Sequence, residues 1–451
     1  MKRSDLMAYT LVAGIAILPV GVRALLWQRA RQQPVDAAIA RAGQTLFLHE
    51  WTPRDPLAAG GDGLGPVFNA TSCVACHHQG GAGGGGGLEH NVTMFTIRAA
   101  RPGEKPRQGV VHAFAIKCQE TLAQVDPRLP PIVRPTLQQV VDFSSPQNRL
   151  PPGCSSPPPV TARSGSRIPF VNGVDLSQRN TPALFGAKRI DDLPEREIIA
   201  GEKKQWLKAG LASAESETVP VGRALRLADG RVGRFGWKAQ TATLIEFVQA
   251  ACANELGLGN PGQAQPRPLG RPNYQAPGPD LTAEQCEQLT AFIASLPPPV
   301  ERPPETAAAA LEAQQGKKLF QTIGCADCHT PDLGSVEGIY SDLLLHRMGA
   351  PLVGGGSYNE PPPEIPNAPP GQGPRADEWR TPPLWGVADS APYLHDGRAP
   401  TLPEAIRLHG GQAANAAGRY AKLKPFQQVQ LIAFLKTLRA PEVALADSRS
   451  R

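Results

Sequence analysis

Two short stretches decide how this chain reads: Ser72-Cys73-Val74-Ala75-Cys76-His77 and Gly324-Cys325-Ala326-Asp327-Cys328-His329. Both have the form C-x-x-C-H. Two thiols three residues apart share one helical turn, within reach of the two vinyl groups of a single porphyrin. The adjacent histidine can then project to the iron as its proximal ligand. A lone C-x-x-C would also suit a zinc knuckle or a redox dithiol. Two copies, each completed by histidine, point instead to two covalently bound c-type haems. Cys73, Cys76, Cys325 and Cys328 are the attachment residues, and His77 and His329 the iron ligands.

Each motif lies in a similar setting. Leu311 to Phe320 is an amphipathic helical stretch ending just before the second motif, and Ala42 to Phe47 is its counterpart before the first. Leu281 to Leu296 matches Leu423 to Leu438, with apolar residues at i, i+3, i+4 and i+7, so each domain closes on a helix with one buried face. Arg179 to Gly186 parallels Arg380 to Gly386, and each is followed by a Leu-Pro-Glu helix start, at Leu193 and Leu402. The chain therefore reads as a duplicated haem domain. The expected fold is mainly α, with two cytochrome c-like domains, long irregular loop insertions and a few short strands. The first copy is inflated by a glycine run from Gly80 to Gly87 and by proline-rich stretches at 127–159 and 258–279. Pro297 to Pro304 reads as the linker, giving domains at 33–300 and 301–451.

The copies differ where they would matter chemically. Aligning Pro194-Glu195 with Pro403-Glu404 puts Ala200 opposite His409. One iron would then have a second protein ligand, His409, and the other would lack it. An open iron suits peroxide or dioxygen; a capped one suits electron transfer. Met348, downstream of the second motif, is the alternative to His409. For the first haem, His90 and His112 are candidates for a sixth ligand, while His78 adjoins the proximal ligand too closely. Glu89, Glu195 and Glu197 are candidates for a distal base, and Trp237 and Trp385 for an electron bridge.

Composition sets the wider bounds. The 451 residues include 48 prolines and 46 glycines, so the chain should be rich in loops and held together by something besides a large apolar core. A formal charge of +6 with no basic block gives nucleic-acid binding little support. It fits docking of small acidic redox partners better. Lys2 and Arg3 precede an apolar run from Leu6 to Val22, so residues 1–32 read as a signal peptide or, with no small-x-small cleavage site, a membrane anchor. Either places the rest of the chain in the periplasm or on the outer side of the cytoplasmic membrane. Of the eight cysteines, four lie outside the haem motifs. An exported protein predicts two disulfides from these, and proximity favours Cys118–Cys154 and Cys252–Cys286 among three pairings. Calcium as a further cofactor has no support in the sequence.

Four longer segments carry a family resemblance: Gly233 to Ala239, Arg179 to Gly186, Tyr340 to Gly349, and Ala391 to Leu402. On these the chain resembles the bacterial dihaem cytochrome c peroxidase superfamily, most closely its branch of dihaem oxidoreductases and thiol oxidoreductases. The resemblance implies an enzyme that reduces peroxide, or uses it as oxidant, at the N-terminal haem. The C-terminal haem would relay electrons from a small redox protein. It also implies that the relay ligand lies in the helix after His395-Asp396-Gly397, where methionine or tyrosine is usual and His409 stands here. His395 and Asp396 would order the loop beside that haem. Other readings are an electron-transfer cytochrome without catalysis and a dihaem oxygenase of an organic substrate.

Overall fold

The computed structural model describes residues 34–97, 107–112, 114–116, 139–140, 174–210, 218–267, 273–355, 358 and 373–442. In chain order its main helices are α1 (Ala37–Leu48), α2 (Glu195–Ala209), α3 (Leu244–Leu256) and α4 (Ala283–Ser295). They continue with α5 (Ala307–Thr322), α6 (Leu402–Leu408), α7 (Ala414–Ala421) and α8 (Pro425–Leu435). The mainly helical expectation is met. No helix among the described residues is long and apolar enough to cross a membrane. The signal or anchor expected at 1–32 falls outside the described residues.

Side-chain caps fix where the principal helices begin. Asp36 accepts from the Ala38 and Ile39 amides at the start of α1, and Thr306 accepts from Ala309 at the start of α5. Thr282 and Gln285 close a capping box on α4, while Pro425 sits in the first turn of α8, where its missing N–H costs nothing.

The duplication is visible in two matching helix crossings. α1 lays Ala40, Gly43, Leu46 and Phe47 against α4, which buries Cys286, Leu289, Phe292 and Ile293. α5 lays Ala313, Gly316 and Phe320 against Leu431, Phe434 and Leu435 of α8. Each crossing has a glycine at its closest point, Gly43 over the Gln288 carbonyl and Gly316 over the Gln430 carbonyl. Below each glycine an aromatic pair closes the gap, Phe47–Phe292 at 4.9 Å and Phe320–Phe434 at 5.4 Å between ring centroids.

The insertion of the first half contributes a small antiparallel sheet. β1 (Val92–Ile97) pairs on one side with β2 (Arg107–Val111) and on the other with β3 (Val174–Arg179), Met94 facing Val110 and Ser177. In the second half, β4 (Leu345–Arg347) pairs with β5 (Glu378–Arg380). Arg223 and Leu345 exchange backbone hydrogen bonds of 3.0 and 2.9 Å, joining the first half to β4. The larger apolar core likewise draws on both halves: Leu333, Val336, Ile339, Leu343, Leu344 and Trp385 pack with Leu46, Phe47 and Leu289.

One expectation is corrected here. Cys252 of α3 and Cys286 of α4 are free thiols, 4% and 0% exposed, each packed into the apolar core. Short separation in sequence brought them to neighbouring helices without bonding them, and burial pushes both thiols above their ordinary pKa. Cys118 and Cys154 lie outside the described residues.

Candidate functional site

The first motif begins as a single helical turn, Cys73–Cys76, capped by Ser72, whose hydroxyl accepts from the Ala75 amide at 3.3 Å. His77 Nδ1 lies 3.1 Å from the Gly84 carbonyl. A carbonyl can only accept, so the proton sits on Nδ1 and the Nε2 lone pair is left for a metal. His329 repeats the arrangement, with Nδ1 donating to the Tyr340 carbonyl at 2.9 Å. Burial holds both imidazoles down at about 4, so both are neutral donors at neutral pH.

A cavity of about 150 Å³ is lined by Cys73, Cys76 and His77, and one of about 520 Å³ by Cys325, Cys328 and His329. Two thiols and a neutral imidazole bordering one cavity are the donor set a c-type haem takes. Trp385 Nε1 adds a buried N–H without a partner among the described residues, beside the larger cavity, a donor that a bound group with acceptor atoms would satisfy. The residues present fit two haems.

The second cavity also contains His409 and Met348. His409 ends α6 and is fixed by donating from Nδ1 to the Ala405 carbonyl at 2.7 Å, the same tautomer as the proximal histidines. It lies near enough to His329 to depress that imidazole further.

The first cavity has no such partner from the corresponding helix, but the residue in question is not Ala200. Ala200 is exposed on α2, a helix without a counterpart among the described residues of the second half. The repeat of α6 is α3: Thr243 caps it by accepting from Glu246, as Thr401 does from Glu404. Matching Leu244 to Leu402 puts Ala251 opposite His409, and Ala251 lines the first cavity. A second Leu-Pro-Glu start drew the sequence alignment onto the wrong helix. The difference between the copies stands with Ala251 in place of Ala200.

The remaining candidates separate clearly. His112 is buried but donates to the Asn254 carbonyl at 2.9 Å and does not line the cavity. His90 borders the cavity, and His78 is exposed, bonded to the Ala75 carbonyl at 3.0 Å. Glu89, Glu195 and Glu197 line neither cavity: Glu89 is 63% exposed, Glu195 accepts from the Val232 amide, and Glu197 pairs with Arg196. Trp237 lines both cavities and donates to the Asn180 carbonyl at 2.9 Å; Trp385 lines the larger. His395 stacks on Trp379 at 3.6 Å and 13°, and its carbonyl accepts from the Asn180 amide. Asp396 takes the Arg398 guanidinium at 2.7 Å.

One functional side chain escaped the sequence reading. Glu255, on the last turn of α3, brings its carboxylate into the first cavity. Asn69 Nδ2 donates to Oε2 at 2.6 Å, and the Tyr358 hydroxyl donates to Oε1. Burial raises the Glu255 pKa, against the two hydrogen bonds, which lower it. The signal was present: Val248, Cys252 and Glu255 fall on one face of α3 at helical spacing, a carboxylate on an apolar stripe.

Known proteins resemble the chain in sequence and in fold. Residues 162–438 match the family described as "Di-haem oxidoreductase, putative peroxidase". The chain belongs to that family. It is 29% identical over 146 residues to the hydrazine synthase subunit gamma of Kuenenia stuttgartiensis, covering 28% of this chain and 41% of that protein. It is 28% identical over 176 residues to the cytochrome-c peroxidase IdrP1 of Denitromonas iodatirespirans, covering 32% and 44%. The chain thus spans less than half the length of the curated relatives it matches. Among solved structures, the diheme peroxidase BthA from Burkholderia thailandensis E264 aligns over 90% of this chain and 86% of its own, with TM-score 0.39 and 16% identity.

Proposed function

We propose that this di-haem oxidoreductase is a peroxidase: it reduces peroxide, or uses it as oxidant, at the first haem, and the second haem relays the electrons. The observation that carries the reading is the contrast between the two cavities. One sets His77 in a cavity with the methyl group of Ala251 and a half-buried carboxyl group, Glu255; the other sets His329 with a second imidazole, His409. A c-type haem bound at each motif supplies an iron centre that binds oxygen ligands where it is open and exchanges electrons where it is capped.

Cys73, Cys76, Cys325 and Cys328 hold the two groups, and His77, His329 and His409 are the protein ligands. Glu255 is placed to take a proton from peroxide and return it to the departing oxygen. Its raised pKa brings it closer to working pH than an ordinary carboxyl, which is what proton transfer in both directions requires. Asn69 and Tyr358 hold the carboxylate in position. Trp237 borders both cavities and is placed to carry electrons between them.

The same proposal includes an electron donor. The outer face of α2 exposes Ile199, Trp206 and Leu207, flanked by exposed Lys203 and Lys204. From the same helix, Gln205 donates to the Asp327 carbonyl at 3.0 Å and to Asp342 at 2.7 Å, gripping the second motif. An apolar centre flanked by lysines with no ion partner among the described residues, one side chain from a haem attachment loop, fits a small acidic redox protein. Export through the N-terminal segment, with the protein periplasmic or anchored outside the cytoplasmic membrane, completes the reading.

The test is electronic absorption and low-temperature EPR of the purified protein, as isolated and half-reduced, followed by one equivalent of peroxide. A high-spin signal beside a low-spin bis-histidine signal is expected, with the high-spin species consumed. Two low-spin haems that ignore peroxide in every redox state would leave an electron carrier instead.

A further inference from the structure

Beyond the Gly84 carbonyl that holds His77, the glycine run after the first motif has had no role. In the structure it folds into a compact loop that returns the chain onto its own start. His78 N and Gln79 N both donate to the Gly85 carbonyl, at 3.2 and 3.0 Å, and Gly81 N donates to the His78 carbonyl at 3.1 Å. Gly80, Gly81 and Gly83 have φ of 75°, 124° and 91°, backbone that side-chain-bearing residues rarely adopt. The run ends in a 3₁₀ turn, Leu88–His90, which comes to rest beside His78.

This return assembles three metal-binding side chains. The ligand atoms of His78, Glu89 and His90 all lie within 4.8 Å of one another. The two imidazoles meet edge to face at 5.6 Å between centroids, and His90 Nε2 is 3.7 Å from Glu89 Oε1. His78 Nδ1 is committed to the Ala75 carbonyl at 3.0 Å, which directs its Nε2 lone pair away from the backbone. An independent feature comes from Gly87. A Cβ there would lie 2.4 Å from both Glu89 carboxylate oxygens, so the missing side chain is what lets the carboxylate fold back.

We propose that His78, His90 and Glu89 bind one divalent transition-metal ion of the copper(II) or zinc(II) class, at the rim of the first cavity. Two imidazoles and one carboxylate suit these ions and disfavour magnesium and calcium, which take oxygen ligands. With metal–ligand bonds of about 2.0–2.2 Å, ligand atoms in a tetrahedral sphere stand roughly 3.4 Å apart. Closing from 4.8 Å therefore needs only side-chain rotation, which the exposed His78 and Glu89 can make toward the half-buried His90. Three protein ligands leave a position for water. The site does not depend on the peroxidase reading, because none of its ligands belongs to the haem attachment set, His90 standing where the site meets the first cavity.

The experiment is titration of the chelator-treated holoprotein, free of any histidine tag, with zinc(II) or copper(II). Binding is followed by calorimetry, and the copper(II) form by EPR. One equivalent should bind, and the copper spectrum should show coupling to two imidazole nitrogens. His78→Ala and His90→Ala should each weaken binding at least tenfold and reduce the nitrogen coupling. Glu89→Gln should weaken it less. Absence of a stoichiometric equivalent, or an equivalent that survives the double histidine substitution, would overturn the site. Neither result bears on peroxide turnover.

Discussion

Gly316→Ala tests the duplicated helix crossing most directly. A Cβ at residue 316 would stand 1.9 Å from the Gln430 carbonyl oxygen, and real Cβ contacts do not fall below 3.0 Å, so α5 and α8 must part by at least 3.0 − 1.9 = 1.1 Å. The opposing atom is backbone and cannot rotate away. Parting the helices also loosens Phe320, Tyr340 and Phe434, whose rings meet at 5.4 to 5.8 Å. Overpacking of this kind costs about 3 kcal/mol, and alanine's helix propensity returns about 1 kcal/mol, leaving a net loss of about 2 kcal/mol. That corresponds to a fall in Tm of roughly 4–8 °C for a unit of 150–250 residues. Gly43→Ala, at 1.8 Å from the Gln288 oxygen, should behave alike. Gly418→Ala is the control: it lies within α7 with nothing within 4 Å of the added atom, and should raise Tm slightly. The assay is thermal unfolding of the holoprotein, by far-UV circular dichroism and by the Soret band. Gly316→Ala and Gly418→Ala shifting Tm in the same direction would refute the crossing as described.

Further outcomes are expected. His409→Ala should remove the low-spin bis-histidine EPR signal while Met348→Ala keeps it; the reverse pattern would make Met348 the ligand. Glu255→Gln should lower kcat/KM for peroxide by about 10²- to 10⁴-fold at neutral pH. The Tyr358 hydrogen bond favours ionised Glu255, so Tyr358→Phe should raise that pKa further and move the acid limb of kcat/KM to higher pH; an unmoved limb would mean that Glu255 is not the base. The same raised pKa gives a stability contribution present below the ordinary value of 4.5 and lost as pH climbs through the folded-state value, so Glu255→Gln should flatten the decline in stability above pH 4.5. Replacing Lys203 and Lys204 by glutamate, or Trp206 by alanine, should slow electron entry from an acidic single-copper protein without affecting a small-molecule donor, and the lysine effect should fade at high salt.

What was legible in the sequence was local chemistry and strong periodicity. The C-x-x-C-H motifs, each within one turn of chain, place two thiols and a histidine on one cavity, and the paired stretches ending in Phe47 and Phe320 carry their glycine and aromatic at matching spacing. Helix α2 shows where local signals mislead. Leu193-Pro194-Glu195 starts a helix just as Leu402-Pro403-Glu404 does, yet α2 is an added element gripping the second motif from outside. The equivalence that matters runs through the caps Thr243 and Thr401, which become evident only once both helices are seen beside their cavities. Cys252 and Cys286 failed for a related reason: counting cysteines treats separation in sequence as proximity, whereas their packing into the apolar core decides their state.

The first cavity shows most clearly why its chemistry was hidden. Its carboxylate comes from α3, its amide donor from Asn69 and its hydroxyl donor from Tyr358, in the other half of the chain. No motif spans such distances. The larger apolar core follows the same pattern, taking Leu333 to Leu344 from the second half, and Arg223 is tied to β4 by a backbone pair. Two copies of a haem domain that folded independently would not need these exchanges. Here each half completes the other, so the difference between Ala251 and His409 lies within one assembled structure, and the Glu255 carboxylate of the first cavity is held partly by Tyr358, which follows the second motif.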